Sequence, residues 1–303
     1  MAANRLRVIC GPTAAGKSAI ATALAMEYTG TLISADSRQI YRGFDIGTAK
    51  PSPSELKATP HFGIDVALPT ERYSASHWAT SAEEWVREAK GDERIPIVVG
   101  GTGFYIKALF EPLFDAPDID RDRKASLEMF VEQMSVAELQ RWCSTLDPVR
   151  AHLGRSQLIR AIETALLAGH RISDLYESRS REATLNAAYL IVDPEQGLAE
   201  RIETRVDEML DAGWLNEVSM LDKWVPEDAP AWKASGYMTL RLVARDELDL
   251  SSARERIIIE TRQYAKRQRT WFRHQLGDSP VTRVDPTRPD CQAMVHRWWK
   301  ETS

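Results

Sequence analysis

Short, uninterrupted apolar runs alternate with longer stretches of helical spacing through the first third of this chain. Leu6–Cys10 is the first such run, and residues 17–28 after it carry a helix-like pattern. Residues 31–34 predict a second strand, 63–66 a weaker third and 95–99 a fourth. Trp78, Ala82 and Trp85 fall on one face of a helix between the last two. Apolar runs that do not alternate with polar residues belong to strands buried on both faces, so the pattern predicts a parallel sheet covered by helices. Ligands of such sheets sit where strands end and loops begin.

Near Pro117 the pattern changes. Residues 118–187 show helical spacing without a convincing strand, including candidates at 137–142 and 158–167, the second stopped by Gly169. Residues 188–194 read as a strand again, 251–274 as the longest helix, and Val281–Val284 as a last strand. The expected organisation is an α/β core of residues 1–117 and 188–303, split by a helical insertion of residues 118–187. An insertion of that length is enough for a small subdomain.

Composition changes this picture little. The chain has 303 residues, 43% hydrophobic and 27% charged, which is an ordinary globular balance. No run reaches the ~18 apolar residues of a membrane span, and residues 1–7 lack a signal-peptide core, so no membrane partner is expected. The net charge of -5 does not announce a nucleic acid, so an RNA partner requires a local basic patch. Cys10, Cys143 and Cys291 are far apart, and the six histidines lack metal-ligand spacing. These features argue against zinc and fit a reducing, cytoplasmic setting.

The chemistry begins at Gly11-Pro12-Thr13-Ala14-Ala15-Gly16-Lys17-Ser18, which fits the phosphate-loop pattern at every position, between a predicted strand and a predicted helix. The glycines let successive N–H groups converge on phosphate oxygens, and the following helix adds its positive end. Lys17 supplies a point charge and Ser18 a ligand for Mg²⁺. The loop specifies linked phosphates, not a reaction. No Asn-Lys-x-Asp guanine-reading element occurs, which disfavours a GTPase. Residues 190–193 could mimic a second phosphate-loop strand ending in Asp193, but Pro194 and the late position favour a plain core strand.

Further segments carry a resemblance. They are Asp36-Ser37-Arg38-Gln39-Ile40-Tyr41, Gly47-Thr48-Ala49-Lys50-Pro51, Pro60-His61-Phe62-Gly63-Ile64-Asp65 and Gly100-Gly101-Thr102-Gly103-Phe104-Tyr105. Arg201-Ile202-Glu203-Thr204-Arg205 and Tyr264-Ala265-Lys266-Arg267-Gln268-Arg269-Thr270-Trp271-Phe272-Arg273 follow in the same order. With the phosphate loop they make residues 5–275 resemble the bacterial tRNA dimethylallyltransferase family. Two segments depart from it. Leu153-Gly154-Arg155-Ser156-Gln157 stands where the family usually has Asn-Asp-x-Gln-Arg, and Gly236-Tyr237-Met238-Thr239 where it has Gly-Tyr-Lys/Arg-Glu/Gln.

The resemblance implies a P-loop NTPase-like core with a mobile helical insertion that binds tRNA. It implies transfer of the dimethylallyl group of dimethylallyl diphosphate to N6 of the adenosine 3′ of the anticodon, in tRNAs reading codons that start with U. Asp36 is then the general base for the N6 proton, and Thr102 donates to the bridging oxygen of the leaving group. A helix N-cap is the other reading of Thr102. Arg201 and Arg205 lie one helical turn apart, and Arg205 is the one expected on the diphosphate, a solvated helix face being the alternative. Asp36, Ser37, Arg38 and Gln39 are expected to contact the extruded base, with Thr102, Arg123, Gln157, Arg160, Lys266 and Arg269 on the RNA. His61 is expected to be structural.

Arg262, Lys266, Arg269 and Arg273 share one helix face, and residues 251–274 hold seven Lys/Arg against two Glu. That stripe suits RNA phosphates, or else is a solvated surface. Transfer to free adenylate, an ATP-dependent small-molecule kinase and a non-enzymatic nucleotide switch are the competing readings.

Overall fold

A computed structural model describes residues 5–111, 119–177, 185–276 and 279–302. The described residues group into two compact units. One holds those up to Glu111 and from 185 onward, and the other holds 119–177. The expected boundary at 117/118 lies outside the described residues, and the expected end at 187 coincides with the first residue of a strand.

The first unit is built on a six-stranded parallel sheet of order β3-β2-β4-β1-β5-β6. The strands are β1 (Leu6–Cys10), β2 (Gly30–Ser34), β3 (His61–Phe62), β4 (Ile95–Gly100), β5 (Ala187–Val192) and β6 (Val281–Val284). All residues of β1, β2 and β5 are buried, as strands covered on both faces must be. Helices α1 (Lys17–Glu27), α2 (Pro53–Ala58), α3 (Ala75–Gly91) and α4 (Gly103–Phe110) belong to the first half of this unit. Helices α5 (Arg121–Glu132), α6 (Val136–Leu146), α7 (Arg155–Ala168) and α8 (Ile172–Glu177) make the second unit. Its own small core contains Val131, Leu139, Cys143, Leu158 and Ile162. Helices α9 (Leu198–Asp211), α10 (Trp214–Leu221), α11 (Tyr237–Ala244), α12 (Leu250–His274) and α13 (Cys291–Glu301) complete the first unit. Among the described residues no helix is long and apolar enough to cross a membrane.

The strand expected at 63–66 is not there. The edge strand is His61–Phe62, paired with Leu32–Ile33. Gly63 and Asp65 then take left-handed backbone conformations, φ 78° and 55°, which end the extended run.

Register positions the site. Cys10 at the end of β1 lies opposite both Gly100 of β4 and Ile191 of β5, while Ser34 of β2 lies opposite Val99. The loops beginning at Gly11, Ala35, Gly101 and Asp193 therefore leave the sheet along one carboxyl edge. The buried Trp78 of α3 secures one of them, its indole donating to the Ser34 carbonyl at 3.0 Å.

Candidate active site

Gly11 must be glycine for a steric reason. A Cβ there would lie 2.1 Å from the Val192 carbonyl oxygen, and its φ is 146°. Further along the loop, Ala14 and Gly16 are left-handed, so the chain wraps before α1 begins at Lys17. The first turn of α1 carries no acidic side chain and its cap makes no side-chain hydrogen bond, leaving backbone donors for an anion.

A cavity of about 600 Å³ opens here, bordered by Thr13, Lys17, Ser18, Asp36, Arg38, Gln39 and Arg205. The Lys17 ammonium donates to the Pro12 carbonyl at 2.7 Å. The Arg205 guanidinium reaches Thr13 Oγ1 at 3.4 Å. Among the described residues neither cation forms an ion pair. Burial pushes Lys17 down to about 8 and Arg205 adds repulsion, with Asp36 the leading opposing influence. Burial also lowers Arg205, again opposed chiefly by Asp36. Two enclosed cations without a carboxylate in contact are stabilised by a polyanion between them. Arg201, one turn earlier on α9, is exposed and its Nε donates to the Ala14 carbonyl from outside the loop.

The Lys17 shift gives a pH expectation. The amine is protonated below about pH 8 and loses its proton above it in the free protein, whereas an anion stabilises the charged form. Pyrophosphate should therefore bind more weakly as pH rises from about 7 to about 9.5, with proton uptake on binding near the upper end. Calorimetry in buffers of differing ionisation heat measures both. Constant affinity and no uptake would mean Lys17 keeps its ordinary basicity.

Asp36 sits at the turn after β2. Its Oδ1 accepts from the Arg38 amide at 2.9 Å, while Oδ2 has no protein partner among the described residues. Thr102 holds the same turn from β4: its Oγ1 accepts from the Ser37 amide at 3.0 Å and can donate to Ser37 Oγ at 3.3 Å. Thr102 is the N-cap residue of α4 as expected, but its side chain makes no capping hydrogen bond, so its hydroxyl is not spent on the helix. Gln39 is engaged inside the protein, accepting from Ser34 Oγ and donating to the Thr48 and Ala49 carbonyls. It borders the cavity with little polar capacity left. His61 donates from Nδ1 to the Thr59 carbonyl at 2.7 Å, and burial lowers its pKa.

The basic stripe on α12 divides. Arg269 grips the Asp193 carboxylate, with Nε at 2.8 Å and Nη2 at 2.6 Å from Oδ1, and also donates to the Pro194 carbonyl. Arg262 pairs with Glu203 and Arg254 with Asp207, both on α9, and Arg256 pairs with Glu260. The partners of Arg254, Arg262 and Arg269 lie far away in sequence, which is why spacing alone suggested a free stripe. Lys266, Arg267 and Arg273 remain exposed without an ion pair among the described residues. Arg123, Gln157 and Arg160 are exposed on α5 and α7 of the second unit.

Two residues near the site escaped the sequence reading. Tyr264 borders the cavity, and burial with Asp36 nearby pushes its phenol up to about 12 against a hydrogen bond from Thr102. Gln268 is buried between the phosphate loop and Gly101. Both alternate with cations in the Tyr264–Arg273 segment, where the charge pattern drew attention away from them.

Comparisons with known proteins agree on this architecture. A family model described as IPP transferase matches residues 39–275, and one described as isopentenyl transferase matches residues 4–67. A tRNA dimethylallyltransferase of Anaeromyxobacter sp. (strain K) is 37% identical over 299 residues, covering 97% of this chain and 96% of the relative. One from Chromohalobacter salexigens is 39% identical over 297 residues, covering 95% and 94%. The crystal structure of the tRNA isopentenylpyrophosphate transferase of Bacillus halodurans superposes with a TM-score of 0.70 at 31% identity, covering 99% of this chain and 96% of that one. With a phosphate loop on a parallel sheet, near-full-length identity above 30% and family matches across most of the chain, this protein belongs to the tRNA dimethylallyltransferase family of prenyl-transferring enzymes.

Proposed function

We propose that this protein transfers the dimethylallyl group of dimethylallyl diphosphate to N6 of the adenosine 3′ of the anticodon in tRNAs reading codons that start with U. One observation carries the reading. Among the described residues Lys17 and Arg205 form no ion pair and Asp36 Oδ2 has no partner, and all three side chains border the same cavity. That supports a polyanion site beside a proton acceptor, as alkylation of a weak amine by a diphosphate ester requires.

An exocyclic adenine amine is a poor nucleophile because its lone pair is delocalised into the ring. As its nitrogen bonds to C1 of the dimethylallyl group, the C1–O bond breaks and diphosphate leaves. The N6 proton passes to Asp36 Oδ2. Lys17, Arg205 and the amides of residues 14–18 take up the charge that gathers on the leaving group. Thr102 fixes the Asp36–Ser37 turn and offers its hydroxyl toward the bridging oxygen. Arg38 borders the cavity as a contact for the extruded base, which must leave its stack to expose N6.

Mg²⁺ fits this donor set. Ser18 and Asp36 border the cavity, and no group of three or more His, Cys, Asp or Glu among the described residues could hold a metal alone. Mg²⁺ is characteristically held by one or two protein oxygens together with substrate phosphates and water. Ser18 would be its protein ligand, and bound there it would neutralise diphosphate charge.

Lys266 and Arg273 on α12, and Arg123, Gln157 and Arg160 on the helical insertion, are the proposed RNA contacts. Ala at Lys266 and Arg273 together should flatten the log–log salt dependence of tRNA affinity by roughly 1.4–1.8, since each phosphate contact contributes ~0.7–0.9. An unchanged slope in filter binding would assign both to solvated surface. Arg269→Ala should act differently, because it also releases Asp193. The setting is cytoplasmic, where tRNA is modified and where three free thiols persist.

The direct test supplies labelled dimethylallyl diphosphate with unmodified tRNA, free adenylate or ATP in parallel. Label entering RNA is the expected result. Label entering only the free nucleotide, or ATP consumption without label transfer, would replace this reading.

A further inference from the structure

We infer that Gln268 is a positioning residue for this reaction, a side-chain amide that sets the phosphate loop and the Thr102 loop relative to one another. The inference rests on the prenyl-transfer reading for its rate assay only. Gln268 lies on α12, is 6% exposed and uses both ends of its amide. Its Oε1 accepts from the Thr13 amide at 2.8 Å, and its Nε2 donates to the Gly101 carbonyl at 2.8 Å. Thr13 follows β1 and Gly101 follows β4, two strands that are neighbours in the sheet. One planar group thus bridges the two loops that carry the anion cradle and the Thr102 hydroxyl.

The surrounding residues are shaped for this bridge. A Cβ at Gly101 would lie 2.3 Å from Gln268 Nε2, and one at Gly103 would lie 2.2 Å from the Trp271 ring. Helix α12 therefore rests on the backbone on both sides of Thr102. From there the contact chain continues, because Thr102 accepts from the Ser37 amide in the turn that orients Asp36. The bridge also has a chemical consequence. With its N–H occupied by Gln268, Thr13 presents its hydroxyl to Arg205 and leaves the anion to other amides of the loop.

Only a residue with one donor and one acceptor at this reach satisfies both bonds. An ionised carboxylate accepts from Thr13 but cannot donate to Gly101, whereas a protonated one does both. A thioether of similar length does neither. Misplacing reacting groups by about an ångström costs on the order of 10²-fold in rate.

The test compares Gln268→Glu and Gln268→Met with wild type in single-turnover prenyl transfer on preformed complexes. A buried carboxyl facing a carbonyl is held above its usual range. The Glu variant should approach the wild-type rate near pH 5.5 and fall at least about tenfold relative to wild type by about pH 8.5. Taking the ratio at each pH removes the titrations that the variant and wild type share. The Met variant should be slower by roughly 10–10²-fold at every pH, with unchanged tRNA affinity. A pH-independent ratio for Glu, or a wild-type rate for Met, would overturn the inference. So would a rate loss that tracks loss of folded protein in thermal melts run in the same buffers. Inorganic pyrophosphate affinity, read alongside, is independent of the assigned reaction. It should weaken about tenfold in the Met variant, and equality with wild type would count against Gln268 even if wild type proved not to prenylate RNA.

Discussion

Asp36→Asn should bind both substrates and transfer the prenyl group roughly 10²–10⁴-fold more slowly, the usual worth of a positioned general base. The geometry makes this a clean substitution. Asp36 Oδ1 already accepts from the Arg38 amide, and an Asn oxygen can keep that bond. The atom at the free position then becomes an NH₂ group, which can neither accept from the adenine amine nor take its proton. The phosphate cradle is untouched, so affinity for dimethylallyl diphosphate should hold. Rapid-quench single-turnover measurement isolates the chemical step from product release. A variant that transfers at the wild-type rate would remove Asp36 from the proton path.

Lys17→Ala carries the second large effect, a fall in rate on the order of 10²–10³-fold, typical for losing one preorganised donor to developing charge. Lys17 is held against the Pro12 carbonyl, so its ammonium is in place before substrate arrives. Arg205→Ala should cost a comparable factor. The double variant should cost less than the product of the two, because both cations act on one anion and Arg205 lowers the preference of Lys17 for charge. Steady-state kinetics with pyrophosphate as product inhibitor checks the prediction. Undiminished turnover in Lys17→Ala at saturating substrates would contradict the cradle.

Much of the fold could be read from the chain because most strands of this sheet are buried on both faces. Leu6–Cys10 and Val281–Val284 match the predicted runs, and β2, β4 and β5 differ from them by a residue or two. The edge strand was misplaced because it has only two residues, and the glycine and aspartate after it are left-handed. The phosphate loop was legible since its chemistry is local: eight consecutive residues and one helix terminus. The α12 stripe was not, because burial and pairing there are decided by Asp193, Glu203 and Asp207, which share no local pattern with it. Gln268 and Tyr264 were hidden for the same reason. Their partners are Thr13, Gly101 and Thr102, brought to them only by the register of β1 and β4.

With the N6 amine of one adenosine in RNA as the acceptor, removing that amine should abolish transfer. The most direct measurement offers wild-type protein two otherwise identical tRNA anticodon stem-loops with labelled dimethylallyl diphosphate. One carries adenosine 3′ of the anticodon, and the other carries inosine, which has a carbonyl in place of the amine. The adenosine stem-loop should be labelled at that nucleotide with release of diphosphate, and the inosine stem-loop should stay unlabelled. Equal labelling of both, or label at a different nucleotide, would contradict the account.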